Sequence, residues 1–133
     1  MNYSSQAIIV DEDRNIYLER NSKIWSLSFI GGKVEEGENY ESALLREIRE
    51  ELWIYLTVDK LLEWEVQPER AFPTGSWISR YFVVVLSESE KKSIENETIE
   101  VYDFDTLQRM DDSEFPIERV SFLTQVQRAL DLL

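Results

Sequence analysis

Residues Gly32 to Ile54 read GKVEEGENYESALLREIREELWI, and the spacing inside that stretch decides how the rest of the chain is read. Asn39 is a good helix N-cap, and Tyr40 to Leu52 contains neither glycine nor proline, so a helix of about three to four turns is predicted there. At about 100° per residue, Leu44, Leu45, Ile48 and Leu52 fall on one side, while Glu47, Glu50 and Glu51 gather on the other. Carboxylates three and four residues apart repel, by about 0.2–0.5 kcal/mol per pair. Such a face can be nothing more than a solvated run of charge. It also suits a bound cation, because hard divalent ions such as Mg²⁺ take oxygen ligands of this kind and share them with substrate phosphates.

Absences narrow the chemistry further. The chain has no cysteine, which excludes disulfides, thiolate nucleophiles and cysteine-based zinc sites, and no histidine, the commonest general base and transition-metal ligand. Acid–base work therefore falls to carboxylates, lysine, tyrosine or metal-bound water, and an oxygen-ligated Mg²⁺ or Mn²⁺ fits better than zinc. A net charge of −13 repels a nucleic-acid duplex, so small phosphorylated substrates arriving with a divalent cation are the expected partners. No apolar run approaches the roughly 20 residues of a membrane span. The N-terminus, MNYSSQAIIVDED, lacks a basic region and a cleavage site, which leads to the expectation of a cytoplasmic protein without membrane partners.

In the quoted stretch, Gly32 is followed after five residues by Glu38, and after seven more by Arg46-Glu47-Ile48-Arg49-Glu50-Glu51. This spacing resembles the signature of the Nudix hydrolases, departing from it at Trp53, where the family carries glycine, and at Ile30, where many members carry proline. The resemblance implies an α/β fold, a mixed sheet sandwiched between helices, formed by residues 1–133 as one domain. It implies metal ligation by Glu47, Glu50, Glu51 and the carbonyl of Gly31, with a further carboxylate from a later loop. Glu100 matches that place best, and Glu97 competes. Arg46 and Glu38 would form the link that orients the helix carboxylates, and Glu47 is favoured as the base that takes a proton from water.

By position, Arg20 and Lys33 are candidate phosphate contacts. Trp25, Phe72 and Trp77 could stack on a base, although aromatic residues in strands are more often core. The reaction implied is metal-dependent cleavage of a diphosphate bond in a nucleoside diphosphate linked to another group, by a chain that most resembles the small members that clean nucleotide pools and that could form a homodimer. The rival is a non-catalytic module of the same fold that senses nucleotides. Such modules usually lack box glutamates, and all are present here.

Around the box the chain reads as strands at Ser5–Val10, Ile16–Arg20, Leu27–Ile30, Trp77–Leu86 and Ile99–Phe104. Thr57–Val66 is extended, with an interruption near Asp59-Lys60. Gln67–Ser76, with two prolines and a glycine, and Ser87–Thr98, polar and aperiodic, read as loops. Apolar residues at Val120, Leu123, Val126, Leu130 and Leu133 predict a C-terminal helix within Pro116–Leu133. Trp53 is expected to fill a buried gap, with the preceding helix ending in some way other than a left-handed residue.

Overall fold

The computed structural model describes residues 1–133 except 24, 74 and 95, and the backbone alone over 64–72. Its strands are β1 (Asn2–Asp11), β2 (Ile16–Arg20), β3 (Leu27–Ser28), β4 (Ile30–Lys33), β5 (Leu62–Phe72), β6 (Gly75–Leu86) and β7 (Ile99–Tyr102). The helices are α1 (Tyr40–Leu52), α2 (Glu88–Lys92), α3 (Phe104–Arg109) and α4 (Arg119–Asp131). One mixed sheet runs β3-β2-β1-β6-β5, with β4 also paired to β1 and β7 to β2. β1 lies parallel to β6 from Asn2↔Trp77 to Asp11↔Leu86, and antiparallel to β4 and β2 on its other edge. Among the described residues no helix is long and apolar enough to cross a membrane.

Side chains alternate across a strand, so the two faces of β1 and β6 feed two cores. Ala7, Ile9, Phe82 and Val84 pack under α1 with Leu44, Ile48 and Leu52. Ile8, Val10 and Val83 pack on the other side with Phe122, Val126, Ala129 and Leu130 of α4. The sheet is thus held between helices, as the α/β reading expects.

Several expectations need correcting. Gln67–Phe72 belongs to β5 rather than to a loop, and the pairing with β6 shifts between Gln67 and Arg70. Pro68 falls within that irregularity, on an edge strand, which is where a residue without an N–H is tolerated. Glu88–Lys92 is a short helix closed by a reciprocal Ser87/Glu90 capping box, a pattern visible as Ser-x-x-Glu in the sequence. In α4 the buried stripe is Phe122, Val126, Ala129 and Leu130, whereas Val120 is 72% exposed. The stacking candidate Phe72 lies outside the residues whose side chains are described.

Candidate active site

α1 starts as the sequence predicts. Asn39 accepts a hydrogen bond from the Ser42 N–H (2.8 Å), and Ser42 Oγ accepts one from the Asn39 N–H (3.0 Å). Leu44, Ile48 and Leu52 are fully covered by the sheet, so the glutamates are turned towards its rim.

Arg46 organises that rim. Its Nε and Nη2 donate to the two carboxylate oxygens of Glu38 (2.7 and 3.0 Å), and Nη2 also donates to the Lys33 carbonyl (3.1 Å). Nη1 reaches Glu47 Oε1 (3.1 Å) and Glu50 (3.5 Å). Glu38 further accepts the Glu35 N–H (2.9 Å), and its carboxyl is held below the usual range, chiefly by Arg46. One planar guanidinium therefore ties the loop after β4 to two carboxylates of the helix. Glu47 is half-buried. Burial raises its carboxyl, Arg46 opposes that, and the charges of Glu50 and Glu51 add to the rise.

The glycines before the helix have separate steric reasons. A methyl group at Gly32 would come within 2.8 Å of Glu47 Cδ, so the bare backbone makes room for that carboxylate. A methyl at Gly31 would strike the Ser5 carbonyl and approach Gln6 Cα to 2.9 Å, since β4 lies tightly against β1 there.

The structure adds a carboxylate that sequence reasoning did not single out. Glu19 of β2 shares a hydrogen bond with Glu51, and burial, that bond and the charges of Glu51 and Glu47 push its carboxyl up to about 8. Two acids in contact hold a proton between them unless a cation replaces it. Glu19 and Glu51 line an open cleft of about 420 Å³ together with Arg20, Asn21, Ser22, Lys23, Asn96 and Thr98.

Glu100 is not brought to this cleft. It pairs directly with Leu18 across β2 and β7, and Leu18 points into the core beneath α4. Glu100 therefore leaves the sheet on the face away from α1. There it takes two hydrogen bonds from Arg20 (2.8 Å each) and one from the Tyr102 hydroxyl. Arg20 also donates to Glu114 and to the Trp25 carbonyl (2.7 Å), so all three of its side-chain nitrogens are engaged within the protein. The competitor Glu97 is exposed on the turn before β7. Trp77 is half-buried and shares the alternation of Val83, which also puts it on the α4 face. Lys33 is exposed and pairs with Ser4, on the side of β4 opposite to Gly32.

The helix ending differs from expectation. Trp53 takes φ 62° and ψ 28°, donates its N–H to the Arg49 carbonyl (3.0 Å), and is 68% exposed. α1 thus closes with a left-handed residue, the ending glycine usually supplies, and the indole fills no buried gap.

The family model described as the NUDIX domain matches residues 3–124. This chain belongs to the Nudix family. A Nudix hydrolase from Clostridium perfringens superposes with a TM-score of 0.76 at 17% identity, covering 98% of this chain and 96% of the other. A MutT protein from Methanosarcina mazei gives 0.67 at 21%, covering 96% and 93%, and an Ap4A hydrolase from C. elegans gives 0.70 at 13%, covering 98% of each. A search of curated proteins by sequence finds no match. The Nudix box is the Gly32–Ile54 stretch, and the chain is a pyrophosphohydrolase by class, of a family that generally works with divalent metals.

The residues on the Nudix helix, with Glu19 of β2, suit such an ion in kind. Glu19, Glu47, Glu50 and Glu51 offer only carboxylate oxygen, the donor that hard divalent cations prefer. Among the described residues no three acids converge on one point as they stand. Glu47 and Glu50 lean on Arg46, and Glu51 leans on Glu19.

Proposed function

We propose that this Nudix protein acts as one domain to hydrolyse a diphosphate bond in a nucleoside diphosphate linked to another group, using Mg²⁺ or Mn²⁺. The observation that carries the reading is the placing of Glu47, seated against Gly32 and clamped by Arg46, near enough to Glu19 for its charge to raise that carboxyl, while Glu19 and Glu51 line the cleft. Glu47, Glu50, Glu51 and the Gly31 carbonyl are the proposed holders of the metal, with Glu19 beside them. A bound divalent ion would neutralise phosphate charge and lower the pKa of water.

Arg46 orients. By holding Glu38 and Glu47 at once it limits the carboxylate to a narrow range of positions without adding a mobile charge to the cleft. Glu47 is the proposed general base. Its Oε1 is bound to Arg46, so Oε2 is the oxygen that accepts the proton, and burial makes it a stronger base than an exposed glutamate. The expected substrates are small and nucleotide-derived, in keeping with the net charge of −13.

The test is a panel of nucleoside triphosphates, dinucleoside polyphosphates and nucleotide sugars with Mg²⁺ or Mn²⁺, assayed for released phosphate or pyrophosphate. Glu51→Gln should cut turnover by orders of magnitude and weaken Mg²⁺ binding while leaving the melting curve in place. Nucleotide binding without product release would replace the hydrolase by a sensor. Full activity of Glu51→Gln at limiting Mg²⁺ would refute the carboxylate assignment.

A further inference from the structure

The last four carbonyls of a helix have no partner inside it. In α1 one of them, that of Glu51, is met from far along the chain: Asn96 Nδ2 donates to it at 2.7 Å. The same side chain serves the turn before β7. Its Oδ1 accepts the Thr98 N–H (2.9 Å) and the Thr98 hydroxyl (2.7 Å), and the Asn96 carbonyl accepts the N–H of Ile99 (3.2 Å), the first residue of β7. These partners fix which way the amide faces, because the Thr98 N–H can only donate and the Glu51 carbonyl can only accept.

Ile99 pairs directly with Glu19 across β7 and β2, and the Arg20 N–H donates to the Thr98 carbonyl (2.8 Å). Asn96 is therefore bonded on one side to the backbone of Glu51 and on the other to the strand end that lies beside Glu19. Those two carboxylates meet in the cleft, and Asn96 and Thr98 line the same cleft. Arg46 bonds Glu38, Glu47 and Glu50, towards the start and middle of the box. Asn96 acts at the other end of the helix, on the turn that carries Glu51.

We infer that Asn96 is the positioning residue for Glu51: by clamping the last turn of α1 to the start of β7, it holds the Glu51 carboxylate beside Glu19, ready for a divalent cation. This rests on the hydrolase reading for the role of Glu51. Asn96 acts through Glu51 and has no need to touch metal or substrate. Aspartate separates its two sets of bonds. It has nearly the same shape and keeps both acceptances from Thr98, but it has no N–H for the Glu51 carbonyl and sets a negative charge against the negative end of the helix dipole.

Mn²⁺ binding by the full chain, followed through the paramagnetic resonance of the free ion well below each melting transition, tests the inference without turnover. Asn96→Asp should weaken Mn²⁺ on the order of 10-fold, the scale on which residues that orient metal ligands act. An added carboxylate would by charge alone tighten binding, so the direction separates lost position from changed charge. Asn96→Ala, which adds no charge, should weaken it likewise. In a Glu51→Gln background, where the carboxylate that Asn96 places is already gone, Asn96→Ala should change Mn²⁺ affinity by no more than about 2-fold. An asparagine that merely closes a turn would lower the melting temperature and leave Mn²⁺ affinity at the parent value in both variants, and that result would overturn the inference. An equal loss with and without Glu51, or a parent that does not bind Mn²⁺, would overturn it too. Coupling between Asn96 and Glu51 in a protein that releases no product from any nucleotide would instead sink the hydrolase reading and leave Asn96 in its role.

Discussion

Replacing Trp53 by glycine and, separately, by alanine measures what the left-handed end of α1 costs. The indole is 68% exposed, so roughly a third of a side chain able to bury about 250 Å² is covered, worth at most about 2 kcal/mol. Both substitutions forfeit that cover. Glycine alone also releases the left-handed strain of about 1–2 kcal/mol, while its looser unfolded chain gives back about 0.5–1 kcal/mol. Trp53→Gly should therefore lie between neutral and about 2 kcal/mol below the parent, short of the roughly 3–5 kcal/mol lost when a buried tryptophan is deleted. It should also be more stable than Trp53→Ala by about 0.5–1 kcal/mol. For a chain of 133 residues that difference is about 2–4 °C in Tm, readable by calorimetry. At a right-handed or extended position the order would reverse, since alanine restricts the unfolded chain more than glycine does. An alanine variant that melts above the glycine variant would refute the left-handed ending. A loss of 3 kcal/mol or more in Trp53→Gly would show, on the same scale of large aromatic deletions, that the ring is buried after all.

Gly31, just before the box, and Gly32, its first residue, should separate stability from activity. Gly31→Ala drives a methyl into β1 backbone and should destabilise by about 1–3 kcal/mol or more. Gly32→Ala meets only the movable end of Glu47, so its melt should stay within about 1 kcal/mol of the parent while turnover and Mg²⁺ affinity fall. Arg46→Lys should fold normally yet lose at least 10-fold in turnover, because a single ammonium cannot bridge Glu38 and Glu47 as the guanidinium does; unchanged kcat would refute the orienting role. Asp11 gives a pH signature. Burial alone would raise its carboxyl, but hydrogen bonds from the Asn15 and Asp13 N–H groups, Tyr17 Oη and the Asn15 side chain hold it lowered overall. A lowered folded-state value stabilises above the unfolded value and is lost as pH falls through the folded one. Urea titrations should accordingly show Asp11→Asn less stable than the parent at pH 7, with the gap closing below about pH 4.

Much of this protein was fixed by local chemistry. The Asn39 cap, the uninterrupted run from Tyr40 to Leu52 and the spacing of Leu44, Ile48 and Leu52 define α1 and its buried face, because capping and helical periodicity act within a few residues. The family spacing likewise put Glu38 opposite Arg46, since the loop between them is short. Strand faces were beyond its reach. Glu19 and Glu100 lie on adjacent strands, and nothing local tells which face of each strand α1 covers. Register decided that Glu19 meets Glu51 while Glu100 meets Arg20, because a shift of one residue exchanges the two faces. Pro68 entered a strand because an edge with a register shift spared its missing N–H. The left-handed backbone at Trp25 (φ 56°) and Trp53 was likewise invisible in residue type, since tryptophan normally avoids it. At Trp53 the Arg49 carbonyl bound by its N–H closes the helix, and at Trp25 the carbonyl of Asn21 and the guanidinium of Arg20 hold the turn. Arg20 is in turn fixed by acids from β7 and from the segment before α4, which only the folded chain brings beside it.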